Sequence, residues 1–447
     1  MSYRETRASG GSCDAAPDPS RAPDGREARP VAAVTGEPGT GILGAMLRAG
    51  VALSLDPDPL RAADEAAGAA LAGAGLERAD AALLFASADR ATEAERLCAA
   101  AVERLGTRAV VGATAHGVIS GSLEEEERPA LGVLALGGVE AEPFLLRDLA
   151  GVEDAAGVEV EAVLGRSASE RDLVVLLADS LVLDPQRLLR GLDETLGPAT
   201  LVGAGAALGA RGRALTWSGR EVATGGASGL ALRLARPART VLTQGCRPIT
   251  EALCVTRTEG RWILELDGRP ALDVYREVAR EPLAADLRRA AERLVAALPR
   301  PRGPERAQAA GYVARSVAGF APERGAFALV EELRPGARIR LALRDAGLAR
   351  EDLKRVLDGM RAAEGSQRAG SRRTGAGAEP RGPVAGIYLC CSGRGRGLFE
   401  HAGLESAYVA QALEPAPVGG MFGAFPFGPV AGATELLSYA GVLALLG

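Results

Sequence analysis

Lysine and histidine are nearly absent from this chain. Lys354 is the only lysine among 447 residues, and His116 and His401 are the only histidines. A lysine Schiff base or general base is disfavoured, because Lys354 lies in a charged segment with helical periodicity. Two histidines do not supply an imidazole-rich metal centre or a mechanism that needs several imidazoles. We therefore predict no metal site and no cofactor.

Basic stripes and long apolar runs are also missing. The net charge is −5 with both signs interspersed, which disfavours nucleic acid as a partner. Residues 1–30 lack the apolar core of a secretory signal, and the apolar run 436–446 is too short to span a bilayer. The six cysteines include no CxxC pair, which indicates reduced thiols. These features predict a cytoplasmic protein without a membrane segment.

The length and composition indicate two globular domains. A chain of 447 residues exceeds one ordinary core, and 47% of it is hydrophobic. Residues 1–30 are rich in Pro, Gly, Ser, Arg and Asp, which predicts a disordered tail. Residues 362–383 lack apolar periodicity, which predicts a flexible insertion. With a boundary near residue 236, the predicted domains are 31–235 and 236–447.

One pattern of strand, helix, glycine turn and strand occurs three times. The three copies cover residues 80–138, 172–235 and 386–447, and their glycine turns begin at Gly112, Gly203 and Gly419. Further strand-like segments and amphipathic helices lie between the second and third copies. The pattern predicts a mixed α/β protein in which the repeated units form layered sheets flanked by helices. Glycine at these turns is best explained by close backbone approach.

The turn CSGRG at 391–395 is a candidate ligand site. It follows a fully apolar strand, and Gly393 and Gly395 leave backbone N–H groups free beside Arg394. Such a nest with a guanidinium suits a carboxylate or a phosphate. The alternative is a tight strand-to-helix turn in which Arg394 is solvated or paired with a nearby acid. Cys391 and Ser392 begin the turn and belong to the candidate site.

The turn GCRP at 245–248 has similar chemistry. Cys246 and Arg247 stand at the end of another strand-like segment. We predict that this turn contributes to the same ligand site, with the Arg247 and Arg394 guanidinium groups as the anion anchors.

A cysteine nucleophile is the catalytic alternative at these turns. Cys246 or Cys391 would need a base to form a thiolate, and only His116 and His401 offer an imidazole. His401 is interpreted as a surface residue, whereas His116 lies in a glycine turn from which it can face a ligand. We predict His116 as a ligand contact and no catalytic residue, although an enzyme that acts on a small anionic substrate stays open.

Four consecutive glutamates occupy 124–127. The run lacks the spaced oxygen ligands that Ca²⁺ or Mg²⁺ requires, and it precedes Arg128 and Pro129. We therefore expect a solvated acidic loop.

Taken together, these motifs resemble the FIST proteins, with a FIST N and a FIST C domain over roughly residues 31–447. The motifs that carry the resemblance are VVGATAHGVISG (110–121), TQGCRPI (243–249), LELDGRPALDV (264–274), the pair RD (344–345) and CSGRGRGLF (391–399). The resemblance implies a sensory, small-ligand-binding module of signal transduction, with amino acids proposed as ligands. It places Cys246, Arg247, Cys391 and Arg394 at matching positions.

Three positions depart from the family pattern. Pro426 stands where an acid is expected, Ser438 where a histidine is usual, and Ala113 where a cysteine is common. Either the ligand is different and less polar, or the site has decayed.

The sequence therefore predicts a cytoplasmic sensor that binds an amino acid or another small carboxylate. No kinase, cyclase or DNA-binding segment is recognised in the chain, so we expect its output to pass to a separate partner protein. A ligand-free interaction scaffold is the remaining alternative.

Overall fold

The computed structural model describes residues 46–179, 182–209, 212–299, 312–374 and 382–447, with no side chains described for 365–374. The predicted disordered tail at 1–30 lies outside these residues. Contacts place all the described residues in one compact unit. No helix among them is both long and apolar enough to cross a membrane.

The first part of the described chain forms a layer of two helices on a sheet. Asp58 caps α1 by accepting hydrogen bonds from the N–H groups of Leu60 and Arg61, and Gly75 ends the helix at φ 62°. The elements are β1 (Arg48–Ser54), α1 (Pro59–Ala74), β2 (Ala81–Ser87), α2 (Ala94–Leu105), β3 (Val110–Ala115), β4 (Gly117–Ser120), β5 (Leu123–Glu125), β6 (Leu131–Gly137) and β7 (Glu140–Leu146).

The second part begins with a helix and again combines helices with strands. Asp184 caps α4 by accepting from the N–H groups of Gln186 and Arg187, with Pro185 at the first helical position. The elements are α3 (Ala156–Leu164), β8 (Asp172–Ala178), α4 (Pro185–Leu196), β9 (Thr200–Gly205), β10 (Thr216–Ser218), β11 (Glu221–Ala223) and β12 (Ala227–Arg233).

The third part is dominated by antiparallel strands. Its elements are β13 (Arg239–Gln244), β14 (Cys246–Pro248), β15 (Leu253–Glu259), β16 (Trp262–Leu266), β17 (Arg269–Pro270), α5 (Ala271–Ala279), α6 (Leu287–Arg293), β18 (Leu294–Pro299), β19 (Tyr312–Arg315), β20 (Val317–Ala321), β21 (Ala326–Leu329) and β22 (Arg338–Arg344).

The last part returns to mixed strands and helices. Its elements are α7 (Ala346–Thr374), β23 (Ala385–Cys391), α8 (Arg396–Phe399), α9 (Leu404–Leu413), β24 (Val418–Val430), β25 (Ala433–Leu436) and β26 (Ala440–Leu446). Helix α7 covers the beginning of the segment 362–383 that was predicted to be flexible, and 375–381 lies outside the described residues.

Three sheets organise these strands. The six-stranded sheet has the order β1-β6-β2-β3-β10-β11. The eleven-stranded sheet has the order β13-β26-β23-β24-β9-β8-β12-β7; in addition, β25 and β4 pair with β24, and β5 pairs with β4. The nine-stranded sheet has the order β19-β18-β22-β15-β16-β21-β20, with β14 and β17 attached. The largest sheet thus combines strands from both sides of the predicted boundary at residue 236. The mixed α/β class with layered sheets is confirmed.

The three predicted strand–helix–strand segments have the same pairing order. Strands β2, β8 and β23 each pair in parallel with the next long strand (β3, β9 and β24) and antiparallel with a later one (β6, β12 and β26). The glycines predicted at turns lie inside β3, β9 and β24. At Gly112 a Cβ atom would lie 1.7 Å from the carbonyl oxygen of Leu84, so close packing requires glycine there.

The first strand of each segment is buried on both faces, which explains its continuous apolar run. In β23, Tyr388 and Cys390 pack toward α7 and α9, while Ile387 and Leu389 join the largest buried cluster. That cluster receives side chains from all three sheets, for example Phe85, Leu177 and Phe327. Helices α1, α2, α3, α4, α7 and α9 therefore cover outer sheet faces, whereas α5 and α6 contribute to the core that the inner faces share.

Candidate functional site

The two turns singled out by the sequence meet at one residue, Tyr439. The carbonyl oxygen of Tyr439 accepts hydrogen bonds from the N–H of Gly245 at 3.0 Å and from Nη1 of Arg394 at 3.2 Å. The guanidinium of Arg344 lies 5.0 Å from the centre of the Tyr439 ring and donates through Nη2 to the carbonyl of Gly393. We call residues 245–248 and 391–395, together with Arg344 and Tyr439, the Tyr439 site.

Strand pairing explains how the chain builds this site. Cys246 in β14 pairs directly with Arg344 in β22, so their side chains lie on the same face. Gly393 lies beneath the Tyr439 ring, where a Cβ atom would be 2.6 Å from Cδ1 and Cε1 of the ring. Tyr439 itself has a left-handed φ of 53°. The site thus depends on a close approach that only glycine at 393 allows.

Arg394 is engaged inside the protein. Its side chain and that of Glu405 on α9 are both fully buried, with Nε and Nη2 at 2.8 and 2.5 Å from Oε1. The hydroxyl of Tyr388 also donates to Oε1 at 3.0 Å, and the Cys390 thiol lies 3.2 Å from Oε2. Arg394 is therefore paired with a nearby acid, the alternative that the sequence left open.

The charge of this pair is fixed by its surroundings. Burial alone raises the pKa of Glu405, but the charge and hydrogen bonds of Arg394 outweigh it and hold that pKa below its usual value. Arg394 and Glu405 are thus both ionised and neutralise each other.

The backbone nest predicted at 391–395 is largely occupied by the chain itself. The N–H groups of Ser392 and Arg394 donate to the carbonyls of Gly423 and Cys391, each at 2.8 Å, and that of Gly395 lies 3.3 Å from Oε2 of Glu405. The N–H of Gly393 has only the Cys391 sulfur at 3.4 Å, a weak acceptor. Gly393 therefore provides the one N–H of this turn that lacks an oxygen partner among the described residues.

The other predicted ligand residues are placed less centrally. Arg247 is exposed on β14, opposite Leu343. His116 is exposed, and its N–H donates to the carbonyl of Phe422 at 2.8 Å, with β24 between it and Cys391. Two interstrand spacings put the backbones of His116 and Cys391 roughly 10 Å apart. Desolvation lowers the pKa of His116, and His401 is exposed near α9.

The thiols of the site are buried and protonated. Cys246 is 5% exposed, and burial raises its pKa to about 12 although Arg394 and Arg344 oppose the shift. Burial likewise raises the pKa of Cys391, and that of Cys390 far more. A thiolate is the form that attacks an electrophile, so this geometry disfavours cysteine nucleophiles at neutral pH.

The sequence motifs singled out neither Tyr439 nor Arg344 as a site residue, and of these two the charged one is Arg344. It is half-buried, it forms no ion pair with any described carboxylate, and its Nε is buried without a hydrogen-bond partner in the described part of the chain. The only signal for it was the pair RD at 344–345. Its neighbour Asp345 caps α7 by accepting from the N–H of Leu348 at 2.8 Å.

The acidic run at 124–127 was expected to be a solvated loop, and this is wrong for three of its members, because Glu125 is buried and Glu124 and Glu126 are half-buried. Glu124 accepts hydrogen bonds from the N–H groups of Ser406 at 2.6 Å and Gly403 at 2.7 Å. Glu126 accepts from the N–H of Arg396 at 2.8 Å. We call Glu124 and Glu126 the carboxylate clamp. It fixes α8 and the start of α9, where Glu405 lies, because backbone donors at helix starts otherwise lack partners.

The clamp is electrostatically unusual. Burial raises the pKa of Glu124, and the charge of Glu405 raises it further, while the two backbone N–H donors act in the opposite direction. The same balance raises the pKa of Glu126. Within the described ranges, no group of three or more His, Cys, Asp or Glu side chains is arranged to hold a metal ion.

The three departures from the family pattern are interior positions. Pro426 is buried in β24, and its carbonyl accepts from the N–H of Leu437 at 2.8 Å. Ser438 is 3% exposed, and its hydroxyl has no partner among the residues described. Ala113 is fully buried in β3.

Comparison with known proteins agrees with these motifs. The chain matches the FIST N domain over residues 80–269 and the FIST C domain over 271–429. The two matches meet at β17, whereas the boundary near residue 236 stays a prediction. An uncharacterized protein of Mycobacterium tuberculosis is 31% identical over 402 residues, covering 89% of this chain and 99% of the relative. One of Mycobacterium bovis is 31% identical over 408 residues, covering 89% and 98%.

A likeness among solved structures is weaker. The crystal structure of a cyanuric acid hydrolase from A. caulinodans matches with a TM-score of 0.24 and 15% identity, over 41% of this chain and 70% of that one. That score supports no argument about fold or function. The two domain matches together span most of the sequence, and the chain therefore belongs to the FIST family.

Proposed function

We propose that this protein is a cytoplasmic sensor that binds an amino acid or another small carboxylate at the Tyr439 site. FIST domains are associated with sensory signal transduction, and that general role follows from the family. The finer proposal rests on one observation. The turns at 245–248 and 391–395 converge on the carbonyl of Tyr439, which makes a half-exposed corner with a guanidinium beside it.

The chemistry of the corner favours binding over catalysis. Arg344 offers positive charge, and Gly393 offers an N–H that has no oxygen partner among the residues the structure describes; both suit a carboxylate. The thiols of Cys246 and Cys391 are neutral, because burial raises the pKa of each. A site with anion-binding donors and no activated nucleophile or base holds a ligand without transforming it.

A route for the signal leads away from this corner. Arg394 joins the corner to Glu405 on α9, and the carboxylate clamp joins α9 to the hairpin of β4 and β5 in the FIST N domain. A ligand that moves the turn at 391–395 would therefore change the contacts between the FIST C and FIST N domains. We propose that a separate partner protein reads this change.

A thermal-shift screen of the full chain against amino acids and small carboxylates tests the proposal. A ligand at 100 times its Kd stabilises the folded state by about 2.7 kcal/mol, which is a readily measured rise in melting temperature. Gly393→Ala fills the space beneath Tyr439 and should abolish the shift. Gly397→Ala is the matched control, because a Cβ there meets no atom within 4 Å.

Two outcomes would contradict the proposal. If no amino acid or carboxylate changes the melting temperature, the ligand class is wrong and an interaction scaffold becomes the better description. If a ligand stabilises Gly393→Ala as strongly as the natural protein, binding takes place away from the Tyr439 site.

A further inference from the structure

We infer that Arg344, and neither Arg247 nor Arg394, binds the carboxylate of the ligand, and that the site selects a small monocarboxylate. This inference rests on the proposed function, since it assigns the contact within the same site. It follows from the charges, the donors and the surroundings of the three arginines at the Tyr439 site.

The charge balance distinguishes the three arginines. Arg394 is fully buried and neutralised by Glu405, so its charge is already compensated. Arg247 is exposed on β14, where water screens its charge. Arg344 is half-buried, and no described carboxylate forms an ion pair with it. Arg344 is therefore the guanidinium of the Tyr439 site that is shielded from water and has no ion-pair partner among the described residues.

The Arg344 guanidinium is held in place and keeps unused donors. Nη2 donates to the carbonyl of Gly393, and the Tyr439 ring lies 5.0 Å from the guanidinium carbon, a cation–π distance. Within the described ranges, Nη1 has only a long contact of 3.4 Å to the carbonyl of Glu292, near the surface. Nε has no partner among the described residues. A planar group fixed in this way is ready to receive a carboxylate, because its side chain has little conformational freedom left to lose on binding.

The surroundings of Arg344 define the class of ligand. One uncompensated guanidinium balances a single negative charge, whereas a phosphate dianion would need a second cation. The α7 N-terminus beside it supplies no substitute, because Asp345 already caps it. The buried thiols of Cys246 and Cys391 and the Tyr439 ring are weakly polar, and they suit a short apolar group. A small monocarboxylate with an apolar body fits both features.

Titration of the full chain with alanine, propionate, propionamide and inorganic phosphate tests the inference. We expect propionate or alanine to bind, and propionamide and phosphate to bind at least tenfold more weakly. Arg344→Gln should weaken carboxylate binding at least tenfold. Arg247→Gln removes the same charge from the neighbouring strand and should change the affinity less than twofold.

A second measurement does not depend on the variants. In the natural protein, the Nε–Hε resonance of Arg344, assigned with Arg344→Lys, should shift on addition of propionate and stay fixed with propionamide. An unshifted resonance under saturating propionate would overturn the inference, even if Arg344→Gln failed to fold.

The remaining outcomes separate the inference from the proposed function. If the natural protein and Arg344→Gln bind propionate equally well, the inference is wrong and the sensor proposal stands. If phosphate binds more tightly than propionate, the assigned ligand class is wrong. If the natural protein binds neither carboxylate, the inference falls together with the proposed ligand class.

Discussion

Arg394 and Glu405 form an ion pair in which neither side chain is exposed to solvent. Nε of Arg394 lies 2.8 Å from Oε1 of Glu405, and Nη1 reaches back to the carbonyl of Tyr439. Two ions out of water are tolerated only when their geometry and remaining hydrogen bonds are satisfied. The pair thus connects the Tyr439 site to α9. A substitution at either residue should lower the stability of the folded protein.

Glu405→Gln should lower the free energy of unfolding by about 3–5 kcal/mol, because it leaves the charge of Arg394 buried and uncompensated. Chemical denaturation measures this difference. The double variant Arg394→Met with Glu405→Gln should lose less unfolding free energy than Glu405→Gln alone, because the double variant also removes the unpaired charge of Arg394.

The control for this pair is Glu277→Gln. Glu277 pairs with Arg269, and both side chains are more than half exposed, at 61% and 52%. Loss of this exposed ion pair in Glu277→Gln should lower the free energy of unfolding by less than about 1 kcal/mol. Equal losses for Glu405→Gln and Glu277→Gln would show that burial of the Arg394–Glu405 pair has no energetic weight.

The thiols at the Tyr439 site should react slowly with alkylating reagents. With a pKa of about 12, roughly one Cys246 side chain in 10⁵ is a thiolate at pH 7. Half-buried Cys254 is the internal comparison. We expect Cys246 and Cys391 to alkylate at least tenfold more slowly than Cys254, as followed by peptide mass spectrometry. Faster alkylation of either would favour the cysteine-dependent enzyme.

The carboxylate clamp should give stability a distinctive pH dependence. The folded-state pKa of Glu124 is raised above 4.5, so the folded state binds this proton more tightly than the unfolded state. Its contribution is fully present below pH 4.5 and is lost as the pH rises through the raised pKa. Glu124→Gln does not ionise, so it should lack this loss when unfolding free energies are compared from pH 4.5 upward.

Glu127→Gln is the matched control for the clamp. Glu127 lies in the same acidic run with its side chain 63% exposed, and it pairs with Arg396 at the surface. Because Glu127→Gln keeps Glu124, this variant should still lose stability as the pH rises from 4.5. Parallel profiles for all three proteins would contradict a proton-linked role for Glu124.

Glycine inside β3 should be far less replaceable than glycine in α7. A Cβ atom at Gly112 would lie 1.7 Å from the carbonyl oxygen of Leu84, so Gly112→Ala should prevent stable folding. Gly359 lies in a helix, and a Cβ there meets nothing within 4 Å. Gly359→Ala should raise stability by about 0.5–1 kcal/mol. Thermal unfolding compares the two, and similar melting temperatures would refute the close approach.

Much of the fold is readable in the sequence because it is local. Continuous apolar runs such as those of β2, β8 and β23 indicate strands buried on both faces. The cap at Asp184 and Pro185 follows from side chains adjacent in sequence. The flexibility of the segment 362–383 stays a prediction, although α7 continues into this segment as far as Thr374.

The roles of charged residues were harder to predict. From the sequence, the four glutamates at 124–127 predict a solvated loop. In the structure, Glu124 caps α9, which lies far away along the chain. Arg344 and Arg394 are both arginines near strand ends, but only Arg394 has a buried acid opposite it. Ion pairing depends on distances that the order of residues does not contain.

The sequence by itself determined the mixed α/β class, the buried strands, the near absence of lysine and histidine chemistry, and the FIST family through its motifs. These depend on composition and on periodicity along the chain. Only the tertiary structure decided that Gly245 and Arg394 meet at Tyr439, that Glu405 neutralises Arg394, and that Arg344 has no ion-pair partner in the described part of the chain. Charge compensation and burial are properties of neighbours in space, and packing of distant strands and helices decides those neighbours.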